Sequence, residues 1–320
     1  MHHAIHQPLR FEPFLRPMPW GGRDLARCLG KNLPALGTFG ESWEVSDHRI
    51  HRSRLATASH FGVTLRQLML HDRRGLLGSA ADRFDVFPWL IKLLDAKDWL
   101  SVQVHPDEDA VKTLLPGESA KTEAWYVLDA VPGSRIYAGL KPGVGPTQFR
   151  QALQEGRVLD CLHSFTPSVG DFVFLPAGTV HAVGGGVVFA EIQETSDATF
   201  RLFDWNRKDA QGQPRALHIE ESFASIHWDQ GPIEPIAAVA ARDLVKCRSF
   251  EIERIQRRAD FALGDVDPLQ ALIVTQGQGR FDNGEFFMPG DVWVLPAAMP
   301  RTTLHLDGPF AGLLCSLPGK

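Results

Sequence analysis

One stretch near the middle of the chain, Val169 to Val183, constrains the fold more than any other. Its sequence is VGDFVFLPAGTVHAV. The apolar run after Gly170 predicts a strand, the Pro-Ala-Gly at 176–178 predicts a turn, and the residues that follow predict a second strand that presents His181. A histidine held in this way can serve as a metal ligand. Taken alone, however, the stretch favours a histidine that is merely packed in a sheet.

The first half of this stretch returns near the end of the chain. Residues 170–177 are GDFVFLPA and residues 290–297 are GDVWVLPA, with Gly, Asp, Leu, Pro and Ala identical. Two copies of one pattern predict two similar β-barrels. Arg301 takes the position of His181 in the second copy, so any metal chemistry is expected in the first.

The first copy also carries an insertion. Residues 123–133 align with 270–280, and this alignment leaves about 27 extra residues between the two halves of the first copy. A helical pattern near 142–164 accounts for them. Further short helices are predicted near 106–118, where acidic residues open the first turn, and over 64–77.

Two hairpins are predicted before the central stretch. Residues 87–106 contain two apolar runs that are separated by DAKD at 95–98. Residues 123–129 and 135–140 flank a Pro-Gly pair, which is typical of a turn. Each pair of runs is therefore interpreted as two adjacent antiparallel strands.

Composition indicates a soluble globular protein with two domains. The chain has 320 residues, of which 44% are hydrophobic and 22% are charged. We expect a metal-binding domain at 1–230 and a degenerate domain without metal at 236–320, joined by a linker at 231–235. The formal net charge is −5 and the chain has no dense run of Lys and Arg, so nucleic acid is excluded as a partner.

Cysteine usage favours a cytoplasmic location. Cys28, Cys161, Cys247 and Cys315 are far apart and include no C-x-x-C pair, so we expect reduced thiols rather than disulfides or a thiolate zinc site. The sequence begins without a basic and then apolar signal pattern, and no apolar run approaches the roughly 20 residues of a membrane helix. We therefore expect neither export nor membrane insertion.

Upstream residues supply further metal donors. Gln103 and His105 are two apart on a predicted strand, so both can point into one barrel, and Glu123 opens the next strand. Together with His181 they form a nitrogen and oxygen set suited to Zn²⁺ or a similar divalent ion, with positions left for water or substrate. Each of the upstream donors has a structural alternative. Gln103 could be a core amide, His105 a hydrogen-bonded turn histidine, and Glu123 an exposed residue at the start of a strand.

The spacing G-x5-P-x-G-x2-H in the central stretch resembles the second motif of the cupin superfamily, whose members are double-stranded β-helix barrels with a metal inside. The usual first cupin motif has H-x-H followed closely by a glutamate. Here Gln103 replaces the first histidine, and Glu123 lies 18 residues after His105.

This departure resembles the type I mannose-6-phosphate isomerases, in particular their short bacterial form. The matching segments are WGG at 20–22, FGESWEVSDH at 39–48, QVHPDE at 103–108, KTEAWYVL at 121–128, LPAGTVHAVGGG at 175–186 and ETSDATFRLFDWNR at 194–207. The resemblance implies a mainly β fold of two cupin-like jelly-roll barrels with short helical insertions. It also implies one zinc ion per chain, held by Gln103, His105, Glu123 and His181, and an active-site arginine at Arg201.

The implied reaction interconverts mannose 6-phosphate and fructose 6-phosphate by moving a proton between two carbons through a cis-enediol. The developing oxyanion needs positive charge, which zinc and Arg201 could supply. Without the resemblance, Arg201 would be a surface residue paired with Asp197 or Asp204. The base is left open between Lys121, which would need a lowered pKa, and Asp197 or Glu194, which would need a raised one.

Other assignments are less constrained. The chain has no Walker loop, and the phosphate contacts are open among Ser46, Lys92 and Arg207. We expect a monomer or a homodimer. A cupin oxygenase with Fe²⁺ is one alternative, but Gln103 in the ligand set argues against it. A non-catalytic sugar-phosphate sensor is the other alternative.

Overall fold

The structure, a computed structural model, describes residues 4–57, 61–208, 212–238 and 242–319. The strands are β1 (Phe14–Arg16), β2 (Glu41–Val45), β3 (Asp47–His48), β4 (His51–Arg52), β5 (Trp89–Ala96), β6 (Val102–Val104), β7 (Glu123–Ala130), β8 (Arg135–Leu140), β9 (Leu162–Phe165), β10 (Phe172–Leu175), β11 (His181–Gly184), β12 (Val187–Glu194), β13 (Phe200–Phe203), β14 (Asp243–Lys246), β15 (Glu251–Arg257), β16 (Phe261–Leu263), β17 (Gln270–Gln276), β18 (Gly279–Phe281), β19 (Phe286–Phe287), β20 (Val292–Leu295), β21 (Thr302–Leu306) and β22 (Phe310–Ser316). The α-helices are α1 (Asp24–Leu29), α2 (Leu65–Leu77), α3 (Glu108–Leu114), α4 (Pro146–Gln154) and α5 (Ile219–Ser225).

Two antiparallel sheets enclose the first barrel. The larger sheet has the order β1-β2-β5-β12-β7-β10, and the smaller has the order β13-β6-β11-β8-β9. From β5 to β8 successive strands alternate between the two sheets, and β10, β11, β12 and β13 alternate again. This alternation is the jelly-roll arrangement, so the predicted fold class is confirmed.

The two predicted hairpins are wrong. β5 lies in the larger sheet and β6 in the smaller, and β7 and β8 are divided in the same way. The segments at 97–101 and 131–134 therefore carry the chain from one sheet to the other. Apolar runs and turn residues predicted the strands correctly, but they do not encode which strand becomes the neighbour.

The predicted helices are confirmed, with shorter bounds. Thr64 caps α2, because its side chain accepts the amide of Gln67 while the Gln67 side chain accepts the amide of Thr64. Asp107 accepts two backbone amides at the start of α3, and α4 begins at Pro146, a favoured first helical residue. None of the described helices is long and apolar enough to cross a membrane.

The second barrel repeats the pairing of the first. Its two sheets have the orders β14-β15-β22-β17-β20 and β16-β21-β18-β19. β10 pairs with β7 so that Leu175 faces Glu123, and β20 pairs with β17 so that Leu295 faces Gln270. The register therefore confirms the internal repeat and makes Gln270 the counterpart of Glu123.

The Gly-Asp pair at the start of each repeated strand forms the same turn. Gly170 and Gly290 both have φ of +89°, a region that favours glycine. The Asp171 carboxylate accepts the backbone amide three residues before it at 2.8 Å, and Asp291 does the same at 3.0 Å. The shared residues therefore serve the architecture of both barrels.

The two barrels share one apolar core. The outward side chains of their larger sheets, such as Ile91, Ala124, Ile252 and Ala271, belong to a single buried cluster. The lumen of the second barrel is filled by a separate apolar cluster that includes Phe281, Phe287, Trp293 and Phe310. In the first barrel, an apolar cluster around Trp125 and Phe189 occupies part of the lumen, and polar residues line the rest.

We propose the domain division at 1–230 and 236–320 that the sequence predicts, with two contacts that qualify it. Backbone bridges join Pro232 in the linker and Ile236 directly after it to the first barrel. Leu9, at the start of the chain, bridges to β20 of the second barrel. The two halves are therefore joined by backbone pairing as well as by the shared core.

Candidate metal centre and active site

Three of the predicted site residues lie side by side across the smaller sheet. Gln103 on β6 is the register partner of His181 on β11 and of Arg201 on β13. Residues that are directly opposite on neighbouring strands point to the same face of a sheet. The register therefore places all three side chains on the lumen face in one row.

The larger sheet faces this row with charged side chains of its own. Glu123 opens β7, and Lys92 on β5 is the register partner of Glu191 on β12. Lys92 Nζ lies 2.8 Å from Glu191 Oε1, and both side chains are buried. The burial of Lys92 disfavours its charge, but the carboxylates of Glu191 and Glu41 hold its pKa above the usual range.

A carboxylate and two imidazoles converge between the sheets. Glu123 Oε2 lies 3.3 Å from His105 Nε2, and Glu123 Oε1 lies 3.3 Å from His181 Nε2. The amide nitrogen of Gln103 lies 3.2 Å from His181 Nε2, and exchanging the two ends of that amide brings its oxygen to the same point. The structure thus brings the four predicted ligands together, and His105, Glu123 and His181 are at most 2% exposed.

Backbone carbonyls orient both imidazoles. His105 Nδ1 donates to the carbonyl of Ala198 at 2.8 Å, and His181 Nδ1 donates to the carbonyl of Thr179 at 2.9 Å. In a neutral ring the proton is then on Nδ1, and the lone pair of Nε2 points towards Glu123. Two lone pairs and a carboxylate that face one another repel unless a cation lies between them.

The ionisation of these groups also fits a divalent cation. Burial, with the charge of Lys121 added, lowers the pKa of His105 to about 4, and burial also lowers the pKa of His181. Burial alone would raise the pKa of Glu123, but Lys121 and the two imidazoles hold it well below its usual range. Among the described residues, neither Glu123 oxygen has a hydrogen-bond partner. Neutral imidazoles and an ionised carboxylate are the states that bind a metal, and Lys121 is the cation that balances this carboxylate in the described residues.

Lys121 lies beside the metal ligands. Its Nζ is 2.9 Å from Glu123 Oε2 and 3.1 Å from His105 Nε2, and the residue is only 4% exposed. The burial that its predicted role requires is therefore present. Lys121 lies just before β7 and Glu123 opens it, so both residues of the K-x-E sequence contribute to the same site.

A cavity of about 190 Å³ reaches this group. Gln103, Lys121, Asp197 and Arg201 are among the residues that line it. The three predicted catalytic residues and one predicted metal ligand thus share one enclosed space. Glu194, the other acidic candidate, lies elsewhere, since its carboxylate accepts the amide of Thr122 and the hydroxyl of Ser249.

Arg201 is not the ion-paired surface residue that would be expected without the family resemblance. Its side chain donates to the carbonyl of Ala216 at 3.1 Å, and in the part of the chain that the structure describes it makes no ion pair, while its buried Nε has no partner. Burial, and then the nearby Arg215, lower the pKa of Arg201. Its charge is therefore available to a ligand.

Two of the three candidate phosphate residues are committed to contacts away from the cavity. Ser46 donates its hydroxyl to a backbone carbonyl at 2.8 Å, and Arg207 donates to the carbonyl of Trp99 and to Asp204. Lys92 does line the cavity, but it is paired with Glu191.

Sequence reasoning missed four charged residues of the cavity. These are Arg16, Glu41, Glu191 and Arg215. A charged residue at an inward position of the apolar strand VVFAEIQE could have indicated Glu191. Arg215 lies in an irregular loop, where no periodicity indicates which way a side chain points.

Comparisons with known proteins support the same interpretation. Residues 9–129 match the sequence model of the family described as phosphomannose isomerase type I, catalytic domain. The mannose-6-phosphate isomerase ManA of Bacillus subtilis is 33% identical over 308 residues, which cover 93% of this chain and 96% of the relative. The mannose-6-phosphate isomerase of Streptococcus mutans is 34% identical over 298 residues, which cover 91% and 92%. The crystal structure of the mannose 6-phosphate isomerase from Bacillus subtilis superposes with a TM-score of 0.86 at 28% identity, covering 96% of this chain and 99% of that one.

Proposed function

The chain belongs to the type I mannose-6-phosphate isomerases, and we propose that it interconverts mannose 6-phosphate and fructose 6-phosphate with one zinc ion held by Gln103, His105, Glu123 and His181. The observation that carries this proposal is the buried Glu123 carboxylate, which lies between two neutral imidazoles without a hydrogen-bond partner among the described residues. Three nitrogen or carboxylate donors with an amide beside them suit zinc.

When bound, zinc supplies a positive charge that polarises the sugar carbonyl and stabilises an oxyanion. Gln103 lines the cavity, so a zinc ion held by these four residues would lie close to a bound substrate, as a catalytic site requires. The carbonyls of Ala198 and Thr179 hold the two imidazoles in the ligating tautomer.

Arg201 binds and orients the reacting end of the sugar in this proposal. It is the cross-strand partner of Gln103 and lines the same cavity. A guanidinium has five donors in a rigid plane, so it can contact the oxygens on both reacting carbons while the proton moves between them. Its buried position strengthens that attraction, because little water screens it.

Lys121 and Asp197 are the groups proposed to move the proton. Both line the cavity. Asp197 has no ion pair or hydrogen bond in the described part of the chain that would occupy its carboxylate, which supports it as a proton acceptor. Lys121 is held by Glu123 at 2.9 Å, which supports a role in donating to a substrate oxygen or returning the proton.

The decisive experiment measures mannose 6-phosphate conversion by the purified protein before chelation, after chelation and after metal add-back. We expect the activity to disappear on chelation and to return with zinc. Activity that survives complete metal removal would contradict the metal assignment. Retained binding of mannose 6-phosphate without any turnover in zinc-loaded protein would support the non-catalytic sensor instead.

Three further assignments belong to this proposal. One zinc ion per chain follows from the single donor group found in the described residues. A monomer or a homodimer and a cytoplasmic location are the states that we propose for the enzyme, from its composition and reduced cysteines.

A further inference from the structure

Two of the cations that line the cavity are neutralised by a carboxylate that also lines it. Lys92 is paired with Glu191 at 2.8 Å, and Arg16 is paired with Glu41 at 3.1 Å. These two pairs lie on the larger sheet and the strands at its edge. They leave no excess charge on that wall for an anionic substrate group.

The opposite wall carries an excess of positive charge. Asp204 forms ion pairs with both Arg207 and Arg215, and Arg201 makes no ion pair within the described residues. With the carboxylate of Asp197, which lines the cavity near Arg201, three guanidinium groups face two carboxylates, so the formal excess is one positive charge. That excess favours an anionic group of the substrate at this wall.

The order of these groups along the wall matches the order of groups in the substrate. Arg201 adjoins the ligand row through Gln103, and its side chain donates to the carbonyl of Ala216, the residue after Arg215. The sequence of groups along the wall is thus metal ligands, Arg201 and then Arg215. In a hexose 6-phosphate the reacting carbons and the phosphate are likewise at opposite ends.

Arg215 is also built to bind an oxyanion. Its Nε lies 2.7 Å from Asp204 Oδ2, and its Nη2 also donates to Asp204. This contact fixes the plane of the guanidinium and leaves the Nη1 side for a ligand. The side chain is 27% exposed and lines the cavity. In contrast, the guanidinium of Arg207 donates hydrogen bonds to Asp204 and to the carbonyl of Trp99.

We infer that Arg215, oriented by Asp204, binds the 6-phosphate of the substrate and sets the preference for a phosphorylated over a free sugar. This inference rests on the proposed function, because it places the reacting carbons at the metal ligands. Asp204 and Arg207 are positioning residues, and Arg201 remains with the reacting end.

The test compares zinc-loaded wild type with Arg215→Ala and Arg215→Lys. We expect the alanine variant to raise KM for mannose 6-phosphate and the inhibition constant of inorganic phosphate by about tenfold or more, with kcat within about threefold. The lysine variant keeps the charge but not the planar fork, so it should recover part of both losses. Arg242→Ala is the matched control, because Arg242 is also paired with a carboxylate, that of Glu253, but lies in the second barrel; it should change neither constant.

Calorimetric titration of inorganic phosphate into protein from which zinc has been removed by chelation measures phosphate binding at the same site without turnover. If the wild type proves not to be an isomerase, the proposed function fails, and this titration still decides the role of Arg215. Phosphate affinity that is at least about tenfold weaker in Arg215→Ala supports the inference. Unchanged phosphate affinity in a folded Arg215→Ala protein, or a loss of kcat at unchanged KM in both variants, would overturn it.

Discussion

At the residue scale, one carboxylate distinguishes the two barrels. Glu123 and Gln270 occupy equivalent register positions, opposite Leu175 and Leu295. Gln270 donates its amide to the hydroxyl of Ser316 at 3.1 Å and is satisfied within its own sheet. The oxygens of Glu123 have no such partner in the described chain. An ionised carboxylate without hydrogen bonds is costly to bury, and although Lys121 lies 2.9 Å away, the free hydrogen-bonding capacity of Glu123 favours a role in binding a ligand.

The first residue-scale prediction is that His181→Ala abolishes zinc binding and turnover but leaves the fold intact. The ring is one of only two imidazoles in the donor group, whereas the equivalent position of the second barrel already holds an exposed arginine, Arg301. Elemental analysis and activity measure the effect. Arg301→Ala is the matched control and should keep both. An unchanged zinc content in the His181 variant would show that the proposed site is wrong.

The second prediction separates Arg201 from the metal. Arg201→Ala should retain about one zinc ion per chain, but its kcat should fall by a factor of roughly 10²–10³, because the guanidinium stabilises charge that develops during the reaction. Zinc content and steady-state kinetics measure the two effects separately. Arg201→Ala with a turnover rate close to that of wild type would remove this residue from the mechanism.

The third prediction concerns a buried acid outside the site. Burial raises the pKa of Asp95 to about 6, and its Oδ1 has no partner in the described residues, whereas its Oδ2 accepts the amide of Asp24 at 2.6 Å. The folded pKa is above the unfolded one, so Asp95 favours folding while protonated and costs stability as pH rises through about 4 to 6.

Asp95→Asn removes this titration and can keep the accepted hydrogen bond. The variant should be more stable than wild type by about 1–2 kcal/mol at pH 7.5, after discounting for solvent screening, and the difference should shrink towards zero near pH 4. Urea unfolding of both proteins at several pH values measures it. A difference that does not depend on pH would mean that Asp95 ionises normally in the folded protein.

At the element scale, the repeated strand and turn show what the architecture requires. A Cβ added at Gly170 would lie 2.6 Å from the Cβ of Ala238, and one added at Gly290 would lie 2.8 Å from that of Leu29. We predict that Gly170→Ala and Gly290→Ala each reduce the free energy of unfolding by about 2–3 kcal/mol, from strain at positive φ and from the close contact.

Gly143 provides the control for this pair of variants. It also has a positive φ, of +81°, but an added Cβ would meet nothing within 4 Å. Gly143→Ala should therefore show only the conformational cost, about 1 kcal/mol. Denaturant unfolding measures all three. Equal losses at the three positions would show that the close contacts relax freely.

The same scale shows why the strands could be predicted and their partners could not. Apolar runs next to turn residues predicted β5, β7 and β10, and the repeat predicted β20. Pairing depends on the path of the whole chain. In the larger sheet, β12 lies between β5 and β7, although it follows both of them in the sequence. No local signal in 87–106 could anticipate that insertion, so the hairpin interpretation was wrong. The K-x-E and Q-x-H spacings each span only three residues, and both pairs do lie at one site.

At the scale of the whole molecule, the two barrels behave as one structure. Their larger sheets share a core to which both Ala124 and Ala271 belong, and Leu9 of the first half bridges to β20 of the second. The repeat predicted two barrels, but nothing in composition could predict that their outer faces pack on each other. Arg215 was missed for a related reason: it reaches the cavity through a loop whose path depends on the folded barrel.

The last prediction follows from this shared core. Zinc binds only the folded first barrel in our proposal, so it should stabilise the chain by about 4 kcal/mol when free zinc exceeds Kd a thousandfold. Because separating the barrels exposes a large apolar surface, the stabilisation should reach the second barrel, and differential scanning calorimetry should show one transition that moves to higher temperature with zinc.

His181→Ala should show one transition that zinc does not move. Two transitions, of which zinc moves only one, would show that the barrels unfold independently and that the shared core contributes little to stability.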